Sequence, residues 1–200
     1  MSAYRIEPLR PEWTAAVAQI HMGALPDDFL PGLGFKFLNQ VFYPAVLQST
    51  SARVFISVAE DQPLGFVIVA QDSGRLFGEI VRNNLWEFIK IGVSTSLSSF
   101  AQFKKNLQIL FSSLKNDEAN HYGEIYEIAV HPGQQGRGMG RMLVQASIDY
   151  LKENGLPGIS IKTRKDNTAW VQFFLRQGWQ LSREIHLIGN QYVILISPFD

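Results

Sequence analysis

Apolar and polar positions divide the chain into short apolar runs and longer amphipathic stretches. The short runs have strand length, and their alternating or continuous apolar character predicts seven strands, at Tyr4–Pro8, Val54–Val58, Leu64–Val69, Ile125–Val130, Ile159–Thr163, Leu181–Ile188 and Tyr192–Ile196. Apolar residues spaced for one face of a helix predict the intervening helices, which begin near Arg10 and cover Phe35–Phe42, Met142–Leu151 and Ala169–Gln177. At 200 residues, this mixture indicates a single domain, 1–200.

Pro44 interrupts the second of these helices. Because proline lacks an N–H, it should kink or end the helix, which places Val46 and Leu47 beyond the regular part.

The stretch Ile125–Asn154 is the most informative part of the sequence. An apolar strand ends at Val130-His131-Pro132, a glycine-rich turn follows, and an amphipathic helix begins directly after it. Glycines at a helix start leave backbone N–H groups without helical partners, and together with the helix dipole these form a site for an anion such as phosphate. A β-branched residue at Gly138 or Gly140 should place a side chain against the bound phosphates.

Two nucleotide-binding motifs are excluded. The glycines lack the spacing of a dinucleotide fingerprint, and Arg141-Met142 stands where a Walker motif has lysine and serine or threonine. The remaining pattern, Gln-x-x-Gly-x-Gly at Gln135–Gly140 after a strand that ends Val-x-Pro, resembles the acyl-CoA site of the GNAT superfamily of N-acetyltransferases. A second stretch, from Asn167 through Phe173-Phe174 to Gly178-Trp179, is similar to the late signature of that family.

The resemblance implies an α/β (α+β) fold. In this family a single mixed, largely antiparallel twisted sheet of about seven strands carries helices on both faces. The chain differs from the usual fold of this family by a helical insertion at about 71–122. Within it, helices are expected near Leu76–Ile89 and Phe100–Leu114. The insertion is interpreted as a flap packed on the sheet, with a lid over the acceptor, a homodimer contact and a membrane-surface helix as alternatives.

By the same resemblance, acetyl-CoA is the co-substrate and no metal is involved. The backbone of the fourth strand would hold the pantetheine arm, the amides of the glycine turn would hold the pyrophosphate, and Asn167 would touch the pantetheine or its thiol end. The implied cofactor-binding residues are Ile128, Ala129, Val130, Gln135, Gly136, Arg137, Gly138, Met139, Gly140, Arg141, Asn167 and Phe174.

The proton-transfer groups are less well defined by sequence. Glu124 occupies the position of the catalytic glutamate of the histone-modifying members, whereas Glu127 should face the opposite side of the strand by alternation. Lys162 replaces the base that the ribosomal-protein members place on the fifth strand. Phe174 occupies the position of the tyrosine that serves as the general acid in the family. The thiolate of CoA would then leave without a proton, or would take one from water, Tyr126 or another tyrosine. A further alternative is that acetyl transfer has been lost.

The amino-acid composition limits the classes of binding partner and cofactor. Net charge is zero, so nothing in it indicates nucleic acid or an anionic membrane, and no apolar run reaches the length of a membrane span. The chain has no cysteine, and its four histidines are too scattered for a zinc site. A cytoplasmic location is therefore expected.

The expected function is acetyl-CoA-dependent acetylation of a primary amine on a small molecule such as an amino sugar or amino acid. A protein N-terminal or lysine acetyltransferase is the enzymatic alternative. A non-catalytic acyl-CoA-binding regulatory module is the alternative of another class.

Overall fold

The computed structural model describes residues 4–84, 86, 121–187 and 189–199. Within these residues seven strands form one sheet in the order β1-β2-β3-β4-β5-β7-β6. The strands are β1 (Arg5–Pro8), β2 (Ala52–Ala59), β3 (Gln62–Ala70), β4 (Gly123–Val130), β5 (Gly158–Arg164), β6 (Gln180–Leu187) and β7 (Asn190–Pro198). Neighbouring strands are antiparallel except for β4 and β5, which are parallel. The predicted mixed, largely antiparallel sheet is confirmed.

The described helices are α1 (Thr14–Ala24), α2 (Phe29–Gly32), α3 (Phe35–Phe37), α4 (Tyr43–Gln48), α5 (Ser73–Asn83), α6 (Met139–Glu153) and α7 (Thr168–Leu175). A 3₁₀ turn at Pro11–Trp13 precedes α1. Helix α5 is the start of the predicted insertion, and the side chain of Asp72 caps it by accepting a hydrogen bond from the Arg75 N–H at 2.9 Å. The second predicted helix of the insertion, Phe100–Leu114, lies outside the described residues.

Of the two effects expected of Pro44, a kink or an end of the helix, the end is not observed, because Val46 and Leu47 lie in the helical segment α4 that follows a π turn. Residues Leu38–Phe42 form a π turn that links α3 to α4, and Pro44 lies in the first turn of α4. Proline is tolerated there because the first N–H groups of a helical segment need no intrahelical acceptor. The chain therefore stays helical and buries Tyr43 and Val46.

Helices cover both faces of the sheet, as predicted. Strand β3 shows this directly because its side chains alternate between two apolar clusters. Phe66 and Ile68 pack with the helices between β1 and β2 and with α5. Val67 and Val69 pack with α6 and α7. The face that carries α1 is called the α1 face below, and the other the α6 face.

Candidate functional site

Strands β4 and β5 run side by side only at their beginnings. They pair at three positions, Gly123 with Ile159, Glu124 with Ser160 and Ile125 with Ile161, and beyond them the two strands separate. Among the described strands, the remainder of β4 therefore has one neighbour, β3, and one open edge. An open edge inside a sheet leaves backbone donors and acceptors for a ligand.

The residues at this open edge follow from the β3–β4 register. The His131 N–H donates to the Leu64 carbonyl at 2.8 Å. By the alternation of an antiparallel ladder, Ala129 then pairs with Phe66 of β3, and Ile128 and Val130 direct their backbone groups to the open edge. Ala129 was predicted to bind the pantetheine arm through its backbone; its groups belong to the ladder instead. The Gln135 side chain donates to the Val130 carbonyl at 3.2 Å.

The glycine turn has the predicted form. Gly136 and Gly138 have φ of 76° and 85°, in the left-handed region, and Gly138 is the N-cap of α6. A Cβ built at either glycine meets no heavy atom within 4 Å. The space beside these two glycines is thus open, as a backbone anion site at the start of α6 requires. Arg137 and Arg141 are exposed, while the Met139 side chain packs into the core of the α6 face.

Gly140 also lies where two helices meet. A Cβ at this position would lie 3.1 Å from the ring of Trp170. The small residue therefore permits α6 and α7 to approach each other, and its predicted role beside a phosphate stays a prediction. Trp170 stands where the family signature has alanine, which explains the close contact.

Between the α1 face and the separating strands lies a cavity of about 460 Å³. Its lining residues come from the α1–α2 loop, β4, β5, the start of α7 and β7, and include Asp27, Asp28, Glu124, Tyr126, Glu127, Ile128, Lys162, Arg164, Asn167, Trp170 and Tyr192. Asn167 is the N-cap of α7 but its side chain makes no capping hydrogen bond. Its amide is thus left for a ligand.

Glu127 lies on the same side of β4 as Glu124, so the prediction that alternation would turn it away was wrong. The cause is a β-bulge at Tyr126, because Ile68 pairs with Glu127 whereas the next residue, Val69, pairs with Ile125. One extra residue on β4 resets the alternation. Both carboxylates consequently line the cavity.

Burial raises the pKa of Glu127 from an ordinary 4.5 to about 8, and the negative charges of Asp28 and Glu124 add to this effect. Lys162 opposes it. The protonation of Glu127 therefore changes near neutral pH, as a group that exchanges protons requires.

The tyrosines near Glu127 stay protonated at neutral pH. Burial raises the pKa of Tyr126, and the neighbouring Glu127 and Glu124 raise it further. Burial also raises the pKa of Tyr43. The hydroxyl of Tyr43 lies 2.9 Å from Nδ1 of His21, which is fully buried and whose pKa burial lowers to about 4.

Phe174 is a core residue. Its side chain is fully enclosed between Trp170, with ring centroids 5.4 Å apart, and Trp179, at 4.6 Å, and it lines no described cavity. Its predicted role as a cofactor contact stays a prediction, and its placement favours core packing.

Sequence reasoning missed the acidic loop between α1 and α2. Asp27 and Asp28 line the cavity opposite β4, and Tyr192 of β7 closes it from the other side. In the sequence this segment is rich in proline, aspartate and glycine, which indicates a loop. Such a composition does not show that the loop lies opposite β4.

A second groove, of about 530 Å³, lies between α6 and α7 next to the glycine turn. Arg141 and Arg176 line it, together with Phe173 and polar side chains of α7. Arg141 directly follows the glycine turn along the chain, and Arg176 shares the groove with it. Among the described residues no helix is long and apolar enough to cross a membrane, and no group of three histidine, aspartate or glutamate residues is arranged to hold a metal ion.

Comparison with known proteins gives a consistent result. The model of the acetyltransferase (GNAT) family matches residues 16–179. The mycothiol acetyltransferase of Arthrobacter sp. (strain FB24) is 26% identical over 195 residues, which cover 88% of this chain and 51% of that protein. The mycothiol acetyltransferase of Nocardia farcinica is 41% identical over 63 residues, 32% of this chain and 21% of that protein. The chain thus spans about half the length, or less, of these curated relatives.

Solved structures show the same fold at low sequence identity. The ribosomal-protein-S18-alanine N-acetyltransferase from Escherichia coli superposes with a TM-score of 0.62 at 15% identity, covering 98% of this chain and 94% of that chain. NAA60 from Arabidopsis thaliana, solved in complex with acetyl-CoA, superposes with a TM-score of 0.64 at 12% identity, covering 98% and 99%.

Proposed function

Because this chain belongs to the GNAT family of acetyltransferases, we propose that it transfers the acetyl group of acetyl-CoA to a primary amine of a small molecule. The observation that carries the proposal is the placement of Glu127. Its carboxyl, with a pKa near 8, lines the same cavity as Ile128, whose backbone reaches the open edge of β4.

The residues of the site fit acetyl-CoA. The open edge of β4 offers backbone donors and acceptors to an extended, amide-containing arm, and the turn at Gly136–Gly138 offers N–H groups and free space to a pyrophosphate. Arg141, which follows that turn, lines one groove with Arg176, and the two guanidinium groups suit further negative charge. When bound, acetyl-CoA supplies the acetyl group as a thioester.

In the proposed mechanism Glu127 is the general base. An alkylamine with a pKa of about 10.4 is almost wholly protonated at neutral pH, so its proton must leave before the nitrogen can attack a carbonyl. The Glu127 carboxylate takes this proton within a half-buried cavity. The N–H of Ile128 is placed at the open edge to donate to the oxygen on which negative charge develops.

The same carboxyl can complete the proton balance. Glu127 with a pKa of about 8 is close to the ordinary thiol value of about 8.5, so the proton it has taken can pass to the leaving thiolate, directly or through water. Tyr126 can donate a hydrogen bond, but its raised pKa makes it a weaker proton donor than Glu127. This assignment removes the need for a tyrosine at the position of Phe174.

The names of the relatives support a small-molecule acceptor. The sequence relatives are called mycothiol acetyltransferases, a name that mentions no protein acceptor. The ribosomal-protein and NAA60 structures share only the fold, at 12–15% identity. Acetylation of a protein N-terminus or lysine is the second candidate, and binding of acyl-CoA without transfer is the third.

The test is release of free CoA from acetyl-CoA in the presence of single amines and, separately, of short peptides with free N-termini or lysines. Turnover with small amines at rates well above those with peptides is expected. Faster turnover with peptides would favour the second candidate. CoA binding by calorimetry with no release on any acceptor would contradict the proposal and favour a binding module.

A further inference from the structure

Lys162 lies at the point where β4 and β5 separate. Ile161, the residue before it, makes the last pair between the two strands, with Ile125. The side chain of Ile161 packs in the core of the α6 face, so by alternation Lys162 points to the α1 face, where it lines the cavity. Its side chain therefore lies beside the gap that opens between the strands.

Glu127 reaches the same cavity from the other strand. The bulge at Tyr126 keeps its carboxyl on the cavity side of β4, beyond the last β4–β5 pair. Lys162 and Glu127, both of which the structure describes, make no direct ion pair. They face one cavity from the two strands that part there, so their charges act on each other across it.

The carboxylate of Glu127 needs a compensating charge. It is half-buried, and it makes no hydrogen bond to any other residue that the structure describes. A carboxylate in such a place is unfavourable unless an opposite charge lies nearby. Of the two cations in the cavity lining, Arg164 is engaged by Asp166 through hydrogen bonds at 3.0 and 2.5 Å. Within the described lining, Lys162 is the cation left to balance Glu127.

The other titratable and charged groups around Glu127 come from all the elements that enclose it. They are Asp27 and Asp28 of the α1–α2 loop, Tyr43 of α4 with His21 of α1 behind it, Glu124 and Tyr126 of β4, Arg164 of β5, Asp166 before α7, and Tyr192 of β7. Burial is the largest cause of the raised pKa of Glu127, Asp28 and Glu124 add to it, and Lys162 lowers it. A carboxyl with a pKa of about 8 is ionised in roughly one molecule in ten at pH 7. Any further rise would leave almost no carboxylate to accept a proton.

We propose that Lys162 is a positioning residue for acetyl transfer, whose ammonium group, across the gap between β4 and β5, holds Glu127 in the charged form that takes the proton of the amine. Lys162 itself exchanges no proton with the acceptor and acts through Glu127. This inference rests on the proposed function and specifies how its general base is kept ionised near neutral pH.

The first measurement needs neither acetyl-CoA nor an acceptor. NMR follows the titration of Glu127 by the ¹³C shift of its side-chain carboxyl, a signal assigned by its loss in Glu127→Gln. Lys162→Met removes the charge and keeps an unbranched side chain of similar length, so the titration midpoint of Glu127 should rise by about one pH unit. Lys162→Arg keeps the charge and should leave the midpoint within about 0.3 pH unit of the wild type.

The second measurement is the pH dependence of kcat/KM for an amine with which the wild type releases CoA. Because a midpoint about one pH unit higher leaves about tenfold less carboxylate at pH 7, Lys162→Met should lose about tenfold in kcat/KM at that pH. At pH 9.5 it should come within about twofold of the wild type. Ionisation of the acceptor is the same for both proteins and cancels in their ratio. A residue that only packs, or only binds the acceptor, would not show this recovery.

Lys165→Met is the matched control. Lys165 follows three residues later, is exposed, does not line the cavity and pairs with Glu184 at 2.7 Å. The same loss of charge should there move neither the titration of Glu127 nor the pH profile. Lys162→Gln provides a second neutral replacement, for which the same results are expected if methionine at this position lowers the yield of folded protein.

The outcomes separate this inference from the proposed function. An unchanged titration midpoint of Glu127 in the neutral variants of Lys162 would overturn the inference while acetyl transfer stands. A loss of kcat/KM that is equally large at pH 7 and pH 9.5 would also overturn it and would make Lys162 a contact of the acceptor. No release of CoA by the wild type with any amine would overturn the proposed function and with it the catalytic role of Lys162, whatever the titration of Glu127 shows.

Discussion

Replacing Glu127 by glutamine should leave the protein nearly inactive and, near neutral pH, more stable. The pKa of Glu127 is raised from 4.5 to about 8 by burial and by its acidic neighbours. Because the folded-state pKa lies above the unfolded one, the folded chain holds a proton that the unfolded chain has released. Stability is therefore full below about pH 4.5 and is lost progressively as pH rises to about 8.

The size of this loss follows from the two pKa values. At about 1.4 kcal/mol per pKa unit, the cost to folding reaches roughly 3 kcal/mol at pH 7, roughly 4 kcal/mol at pH 8 and at most roughly 5 kcal/mol at higher pH. Glutamine has nearly the same shape and no charge, but its buried amide offsets about 1–3 kcal/mol of the gain. We expect Glu127→Gln to raise the free energy of unfolding by about 1–3 kcal/mol at pH 8 and to lower it by up to about 2 kcal/mol at pH 5, where the ionisation of Glu127 costs the wild type only about 1 kcal/mol.

Urea unfolding of both proteins at pH 5, 6, 7 and 8 measures the effect. The difference in free energy of unfolding between variant and wild type should grow by about 2–4 kcal/mol over this range, and titration of all other groups cancels in the difference. At pH 7.5 kcat should fall by about 10²–10⁴-fold with CoA affinity kept.

Glu124→Gln is the matched control, because Glu124 lies on the same face of β4 without being assigned the base. Its activity should persist, and the midpoint of its pH–rate profile should move to lower pH, since one negative neighbour of Glu127 is gone. If the free energy of unfolding depends on pH in the same way for wild type and Glu127→Gln, or if that variant keeps full activity, Glu127 is not the general base with a raised pKa.

Three further outcomes follow from the described geometry. Gly138→Val should lose about 1–2 kcal/mol of stability because a side chain at φ 85° is strained, and calorimetry should show weaker CoA binding. Burial lowers the pKa of His21 to about 4, so as the pH falls the unfolded chain binds a proton at this residue before the folded chain does. The wild type should therefore lose about 2–3 kcal/mol of stability between pH 7 and 4.5 through His21, and His21→Gln should not show this loss. Urea unfolding of both proteins at the two pH values measures the difference. Phe174→Tyr should melt lower, by about 1–3 kcal/mol of stability, without gain in turnover, since its hydroxyl has no partner in the core.

Sequence reasoning predicted the elements because they are encoded locally. Strand periodicity, the proline that ends β4 and the glycines that open α6 each act within a few residues. Gly155 and Gly178, which follow α6 and α7, have φ of 73° and 83°, the left-handed conformation that glycine adopts where helices end. The site was predicted as far as it depends on these backbone features.

The other parts of the site depend on features that are not local. The bulge at Tyr126 arises from how β4 pairs with β3, and strict alternation along one strand cannot show it. Asp28 reaches the cavity only because the α1–α2 loop folds over β4, about a hundred residues further along the chain. Gly140 matched the family motif, yet its contact with Trp170 is between two helices that each look ordinary alone.

The parting of β4 and β5 also has a mechanical consequence. Strands β1–β4 and β5–β7 are joined across the sheet by three residue pairs, whereas the β2–β3 and β5–β7 ladders run for seven or eight. The β4–β5 pairing is the shortest in the sheet, so we expect local opening of the sheet to occur there first. An extended ligand bound along the backbone of Ile128 and Val130 would act as an added strand and would stabilise the contact between β1–β4 and β5–β7. Amide hydrogen exchange at these two residues should slow on binding, while exchange within the long ladders stays as it was.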